Sequence, residues 1–436
     1  MTRLISMLIA ATAANVAAAD PPATLAEVVR SAIASHETVA RAESEVRRAD
    51  ATVRLSTSAL LPRLELNGAW TRYGDEQSIE FAPGETFVIR PLTDWSWSAD
   101  LRQTLFYGLR DWRARDVALL RRDIARLERA VTVADLALRT SAAYFDAVAA
   151  AERVAVHRST LEQIREQLRV AGRRFEVGEV TSADVARWRA EEAAEVQQLV
   201  GAEGTAALAM RRLARLAGVA ELPELAPPGR VPAPDGEMAA LVETALDERL
   251  EMAVLRHQME ASRLMITVEK DAWLPELEAH AQYYQQKAEF PSQDWTSLTL
   301  GLTVPVFDGG LTAARVAEAK EDLRQVEILG REVIKAVTDD VESAAILLET
   351  AEAALVAARE RLEAAGAAHD QTERAYRVGE ASATDLLATT ASLTDARTAA
   401  IIARWERELA AIALRRAVGR PALPDLEPIA EEDQQS

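Results

Sequence analysis

The chain has no cysteine and few glycine, proline or aromatic residues. The lack of cysteine excludes disulfides, thiolate catalysis, cysteine-ligated metals and an acylated N-terminal cysteine. Only 18 Gly and 16 Pro occur in 436 residues, so turn signals are few and the elements between them must be long. Aromatic residues make up 5% of the chain and hydrophobic residues 49%. Most of the apolar content is therefore aliphatic, which is typical of packed helices.

Basic residues are also in deficit, with 50 Lys and Arg against 69 Asp and Glu, a net charge of −19. Binding to nucleic acid requires clustered positive charge, so we expect no nucleic-acid partner. The five histidines lack metal-ligand spacing, and the chain has no phosphate loop, dinucleotide fingerprint or Gly-x-Ser-x-Gly motif. We therefore predict no catalytic residues, no cofactor and no metal site, and we expect a protein that is not an enzyme.

The first 19 residues have the pattern of a cleaved signal peptide. Arg3 precedes an apolar stretch, Leu4 to Val16, and an alanine triplet at 17–19 offers a cleavage site. A buried N-terminal helix is the alternative interpretation. No later stretch reaches the roughly 18 consecutive apolar residues that a membrane-spanning helix needs. The pattern predicts an exported protein that no helix anchors in a membrane.

The sequence contains an internal repeat. Val177-Gly178-Glu179 recurs as Val378-Gly379-Glu380, an offset of 201, whereas Leu61-Pro62 recurs as Leu274-Pro275, an offset of 213. The first copy therefore has 12 extra residues before the strict register begins, and we expect a surface loop there. The predicted organisation is a signal peptide (1–19), a first repeat (20–230), a second repeat (231–420) and an acidic tail (421–436). Neither repeat is expected to fold alone.

Each repeat is predicted to contain one very long helix, about 109–175 in the first and 310–376 in the second. These segments lack proline and place apolar residues at helical spacing. A helix of this size spans about 100 Å at 1.5 Å per residue, so it must pack along other helices as a coiled coil. Shorter helices are predicted at 25–58, 182–217, 238–272 and 383–418.

Two segments, about 63–106 and 276–306, change to the period-two alternation of β-strands. The runs are about ten residues long, which is the length of a tilted transmembrane strand. Most of the 21 aromatic residues (8 Trp, 6 Tyr and 7 Phe) also lie in these segments, as in the aromatic girdles of membrane barrels. The residues predicted to face lipid are Trp95, Trp97, Leu298, Leu300 and Leu302. Two soluble hairpins packed on helices are the alternative.

Four strands are too few to close a barrel, for which about eight are needed. An open sheet edge is not tolerated in lipid, because its backbone groups would have no hydrogen-bond partner. If these strands lie in a membrane, several chains must share one barrel, and three chains supply twelve strands.

In four places the sequence resembles the TolC family of outer-membrane efflux proteins, also called outer membrane factors. These are Leu61-Pro62, residues 307–310 (Phe-Asp-Gly-Gly), 174–184 and 376–385, which occur in order and in both repeats. The resemblance implies a mainly helical homotrimer, with a twelve-stranded outer-membrane β-barrel that continues into a periplasmic α-helical barrel. It also implies a passive exit duct of a tripartite efflux pump or type I secretion system, opened by a periplasmic adaptor and an inner-membrane transporter. The alternative function is a soluble periplasmic coiled-coil structural or adaptor protein.

The two Val-Gly turns carry the predicted functional residues. The resemblance implies that the Asp385 residues of three chains form a ring around the pore of a periplasmic gate. It also implies that Tyr376 and Asp184 form a pair, the latch, that helps to hold this gate closed. Three symmetry-related carboxylates would raise one another's pKa and attract cations. The same aspartates also have the spacing of capping boxes, so capping alone is the other interpretation. The adaptor would dock on the hairpin tips, namely Val177, Gly178, Glu179, Val378, Gly379 and Glu380.

The sequence departs from the family pattern at two gate positions. Ala388 stands where better-known members have a second acid, and Ala381 stands where they have a latch arginine. The resemblance therefore implies a gate with a single acidic ring that is less tightly held.

Overall fold

The structure is a computed structural model, and it describes residues 22–288 and 292–423. The predicted signal peptide and residues 424–436 of the predicted tail lie outside the described residues. The described part is mainly helical, with a smaller β part, as predicted. None of the helices in this part has a segment that is both long and apolar enough to cross a membrane.

The described residues form eight helices, two of which are very long. The α3 and α7 helices have 67 and 68 residues, and each differs by no more than two residues at either end from the predicted range. The helices are α1 (Leu25–Ser35), α2 (Glu37–Ser58), α3 (Arg110–Glu176), α4 (Ser182–Leu216), α5 (Met238–Glu248), α6 (Leu250–Asp271), α7 (Leu311–Val378) and α8 (Ala383–Ala417).

Two segments predicted as single helices are each divided into two. The 25–58 segment breaks at His36, which has extended backbone angles and whose Nδ1 accepts a hydrogen bond from the Thr38 amide. The 238–272 segment breaks at Arg249, which has φ −63° and ψ 135°. Neither residue is a glycine or proline, so the breaks have no strong signal in the sequence.

Six strands form two sheets. The strands are β1 (Arg63–Arg72), β2 (Gln77–Ala82), β3 (Glu85–Arg90), β4 (Thr93–Tyr107), β5 (Glu276–Gln286) and β6 (Asp294–Thr303). The larger sheet is antiparallel in the order β1-β4-β5-β6, so strands from both repeats share it. The second sheet is the hairpin of β2 and β3, and it lies in the segment with the extra residues, where we expected a surface loop. Strand β6 ends at Thr303, before Pro305, which has no amide to donate.

The chain divides into two compact units, and each takes segments from both sequence repeats. The first unit contains 22–34, 139–231 and 354–409 of the described residues, and the second contains 35–138, 232–353 and 410–423. Neither predicted repeat therefore corresponds to one compact unit.

In the first unit, a buried tyrosine contacts the segment that directly precedes α1. Ala23 forms a parallel bridge with Leu225, and the Tyr144 hydroxyl lies 2.8 Å from the Ala23 carbonyl oxygen and 2.6 Å from that of Ala226. Burial raises the pKa of Tyr144 to about 12, so the hydroxyl remains a donor at neutral pH.

In the second unit, an ion network joins segments that are distant in sequence. Glu251 accepts hydrogen bonds from Arg249 and Arg416, at 3.0 and 2.6 Å. Arg249 also donates to Asp340 on α7, and Arg416 donates to Asp135 on α3. Burial acts to raise the pKa of Glu251, but the hydrogen bonds from both arginines outweigh it and lower the pKa to about 2.

Candidate functional site

In the first unit, α3 and α4 form a helical hairpin, here called the first hairpin. Gly178 has φ +79°, and the Glu179 amide donates to the Arg174 carbonyl, so the helix ends in a left-handed glycine cap. The next helix begins with a capping box, in which Thr181 and Asp184 each accept a hydrogen bond from the other's backbone amide.

Helices α7 and α8 form the second hairpin, whose turn has the same geometry. Gly379 has φ +83°, and the Glu380 amide donates to the Ala375 carbonyl. The Ser382 amide donates to the Asp385 carboxylate at 3.0 Å, and the Asp385 amide donates to the Ser382 hydroxyl at 3.2 Å. The predicted capping role of both aspartates is therefore present in the structure.

Both capping aspartates have lowered pKa values. The hydroxyl and amide of Ser382 donate to the Asp385 carboxylate and lower its pKa, and Thr181 does the same for Asp184. These bonds favour the charged form of each carboxylate within one chain. The repulsion expected in a ring of three would act in the opposite direction.

Tyr376 is buried in an apolar cluster between the two hairpins. Its ring lies 6.3 Å from the ring of Trp188, and the Arg174 guanidinium lies 5.5 Å from its centre. The Tyr376 hydroxyl has no hydrogen-bond partner among the described residues, whereas Asp184 contacts Thr181 and Arg187. Within one chain, the two predicted latch residues are therefore not hydrogen-bonded to each other. The cluster contains Ile164, Ala171, Trp188, Tyr376, Ala383 and Leu386.

The six residues of the predicted docking tips are all exposed. Val177 and Val378 have 70% and 72% of their surface accessible, although both are apolar. Two exposed valines at matching positions, each beside a glycine turn, form the apolar part of the tips.

In the second unit, the four-stranded sheet has one apolar face and one polar face. The cross-strand register places Leu298 opposite Ala281, and Ala281 opposite Leu101, so the leucines of β6 and the tryptophans of β4 share a face. The five residues predicted to face lipid lie on this face, and all are exposed. The accessible fractions of their surfaces are Trp95 41%, Trp97 38%, Leu298 75%, Leu300 64% and Leu302 66%.

The opposite face of the sheet contains a buried carboxylate. Asp100 on β4 is 3% exposed, and it accepts hydrogen bonds from Ser98 at 2.6 Å and Gln282 at 2.8 Å. Asn67 donates to it from β1, and the ring of His280 lies 3.0 Å away on β5. Polar groups from three strands are therefore gathered around a buried carboxylate on this face, whereas the leucines of β6 on the other face are exposed. In the described part of the chain, no group of three or more His, Cys, Asp or Glu could hold a metal ion.

Sequence reasoning missed the roles of Arg174, Arg187 and Trp188. Arg174 donates to the carbonyl oxygens of Tyr376 and Arg377, and Arg187 donates to the Thr384 hydroxyl. The sequence signal that could have indicated these roles is a difference between the two repeats at matching positions. The residues 201 positions later are Ala375, Ala388 and Thr389.

Comparisons with known proteins agree on one family. Residues 28–219 and 241–420 match the family described as "Outer membrane efflux protein". The chain is 26% identical over 285 residues to the outer membrane efflux protein BepC of Brucella suis biovar 1, a match that covers 64% of this chain and 62% of BepC. It is 24% identical over 437 residues to the outer membrane protein TolC of Vibrio cholerae, covering 96% of each.

A solved structure has the same fold. The CmeC outer membrane channel of Campylobacter jejuni aligns with a TM-score of 0.77 at 16% identity, covering 94% of this chain and 89% of that one. The family match extends over most of the chain and over both repeats. The resemblance stated from the sequence is thereby confirmed, and this chain belongs to the outer membrane efflux protein family.

Proposed function

We propose that the protein is the outer-membrane exit duct of a tripartite efflux pump or type I secretion system. The observation that carries the proposal is the orientation of the four-stranded sheet, whose leucine face is exposed while Asp100 on the polar face is buried. A soluble sheet has the reverse arrangement, because water favours polar side chains and apolar ones are buried. If lipid covered the leucine face, these apolar side chains would not be exposed to water, and the free-energy cost of that exposure would be removed.

The assembly that we propose is a homotrimer. Strands β1 and β6 are the edges of the larger sheet in one chain, and each has a row of backbone groups without a partner in that sheet. Pairing β6 of one copy with β1 of the next satisfies those groups, and three copies close a twelve-stranded barrel. The long helices of the three copies then form the periplasmic α-helical barrel.

The partners that we propose are a periplasmic adaptor and an inner-membrane transporter, which supplies the energy for a passive duct. Val177 and Val378 are exposed, and each is followed two residues later by an exposed glutamate, so each tip offers the adaptor an apolar contact next to an acidic group. Asp385, Asp184 and Tyr376 lie at the two turns, and we propose that this end is the gate. The soluble adaptor alternative requires Leu298, Leu300 and Leu302 to face a core, and in this chain they are exposed.

Cell fractionation tests the proposal. We expect the mature protein in the outer-membrane fraction, with the electrophoretic mobility of a trimer before heating and of a monomer after heating. Release of a monomer by osmotic shock would contradict the proposal. The purified trimer in planar bilayers should also form channels, which is the second measurement.

A further inference from the structure

The two hairpins of the first unit differ in the residues that reach across to the other hairpin. At an offset of 201, Arg174 corresponds to Ala375 and Arg187 corresponds to Ala388. Both arginines of the first hairpin donate to the second hairpin, whereas the alanines at the matching positions have no side-chain donor. The turns themselves are nearly identical, so the asymmetry lies in these cross-hairpin contacts.

Arg174 acts on the end of α7. Its Nη2 atom lies 3.0 Å from the Arg377 carbonyl oxygen, and its Nη1 atom lies 3.4 Å from that of Tyr376. The last carbonyls of a helix lack partners within the helix and carry the negative end of its dipole, so a guanidinium there is stabilising. The same guanidinium lies over the Tyr376 ring, which adds a cation–π contact. The Arg174 side chain is only 26% exposed, so water screens these contacts incompletely.

Arg187 acts on the start of α8. Its Nη1 atom lies 3.0 Å from the Thr384 hydroxyl and 3.6 Å from the Asp184 carboxylate. Asp184 therefore caps its own helix and also lies beside the arginine that contacts the second hairpin. The two arginines contact the second hairpin on either side of its Gly379 turn.

The Tyr376 hydroxyl does not stabilise this packing. The hydroxyl is buried without a partner among the described residues, and the same holds for the indole nitrogen of Trp188, on the neighbouring ring. A buried polar atom without a hydrogen bond carries its full desolvation cost. The rings contribute apolar contact, while both polar atoms oppose this packing of the two hairpins.

We propose that Arg174 and Arg187 are the positioning residues that hold the second hairpin against the first when the gate is closed. Tyr376 contributes its ring and its carbonyl oxygen to this contact, and its hydroxyl favours opening. This inference rests on the proposed function for its channel measurement, but the contact itself can be measured without it.

The test compares purified trimers in planar bilayers. We expect the double variant Arg174→Ala with Arg187→Ala to raise the open probability about tenfold, equivalent to about 1.4 kcal/mol. Lysine at both positions should recover part of the effect, because an ammonium donates to a carbonyl but lacks the planar fork. The matched control is Arg173→Ala with Arg189→Ala, two exposed arginines of the same hairpin, for which we expect wild-type behaviour. Wild-type open probability in the alanine double variant would overturn the proposal.

The variant Tyr376→Phe separates this proposal from a latch that uses the tyrosine hydroxyl. Removing a buried hydroxyl without a partner should lower the open probability, whereas removing a latch bond would raise it. A value above that of wild type would overturn the assignment.

Amide hydrogen exchange of residues 376–384 provides a readout that does not depend on conduction. Faster exchange in the alanine double variant, with wild-type exchange in the matched control, would support the arginine contacts even if no channel formed. Absence of channels in the wild type would then contradict only the proposed function. Unchanged exchange in the double variant would contradict the arginine contacts.

Discussion

At the residue scale, two glycines allow the helical hairpins to turn. Gly178 and Gly379 have φ of +79° and +83°, which non-glycine residues adopt at a cost. A Cβ atom would meet no heavy atom within 4 Å at either position, so backbone strain is the expected effect of substitution.

We predict that Gly379→Ala destabilises the turn of the second hairpin by about 1–2 kcal/mol, the cost of a left-handed conformation in an L-residue. Amide exchange at residues 376–384 measures the effect. Gly172→Ala is the matched control, because Gly172 lies within α3 and its added methyl group also meets open space. This control should stabilise its helix slightly, by about 0.5–1 kcal/mol. Equal exchange in the two variants would contradict the prediction.

Glu251 makes the stability of the second unit depend on pH. Its pKa is about 2 in the folded chain, below the ordinary value of 4.5, so its contribution is complete above about pH 4.5. The contribution is lost as the pH falls from 4.5 towards 2, because the carboxylate is then protonated in both states.

We predict that Glu251→Gln lowers the free energy of unfolding at pH 7 by about 1–2 kcal/mol, since partial solvent exposure reduces the value of its charged hydrogen bonds. Thermal melting followed by circular dichroism at pH 7 and pH 3 tests this. The difference between wild type and variant should shrink at pH 3. Glu260→Gln, an exposed glutamate on the same helix, is the control. A difference that stays constant with pH would exclude titration of Glu251 as the cause.

At the element scale, the four-stranded sheet has an apolar face and a polar face, and the polar face is buried at Ser98 and Asp100 on β4. Leu300 lies on the exposed apolar face, and its neighbour Thr299 lies on the polar face, opposite His280. Period-two alternation in the sequence predicts the two faces but does not say which one is exposed.

We predict that Leu300→Lys reduces the amount of assembled protein in the outer membrane, because a lysine facing the middle of a bilayer costs about 2–4 kcal/mol. Heat-modifiable mobility of the outer-membrane fraction measures assembly. Thr299→Lys is the matched control on the other face of the same strand, and we expect it to assemble. If Thr299→Lys were the more damaging variant, the assignment of the two faces would be reversed.

At the scale of the whole molecule, the proposed trimer would bring together the acidic residues at the turn of the second hairpin. Asp385 is exposed, and its pKa is lowered by Ser382, so it carries a charge at neutral pH. Three such carboxylates around one axis would form the cation-attracting ring that we propose.

We predict that Asp385→Asn weakens block of the channel by divalent cations, because asparagine removes the charge and keeps an oxygen acceptor for the Ser382 amide. Single-channel conductance of the trimer with and without divalent cations measures this. Asp395→Asn is the control, since Asp395 is an exposed aspartate ten residues further along α8. Cation block that is unchanged by Asp385→Asn would leave Asp385 as a helix cap only.

The sequence by itself determined the features that depend on neighbouring residues. The glycine turns, the Thr181–Asp184 and Ser382–Asp385 caps and the long helices all rest on hydrogen bonds within about six residues, and so local spacing predicts them. The alternation of strand residues is equally local. The breaks at His36 and Arg249 were not predicted, because neither residue is a helix breaker by type.

Only the tertiary structure decided which distant groups meet. Arg174 and Arg377 are 203 residues apart, and Asp100 and Gln282 are 182 apart, so their pairing depends on how the helices pack and on the strand register. The sequence indicated Tyr376 but not that its hydroxyl is buried without a partner among the described residues. Burial is a property of the assembled hairpins, since it depends on Trp188 and Leu386, which packing brings to the same cluster.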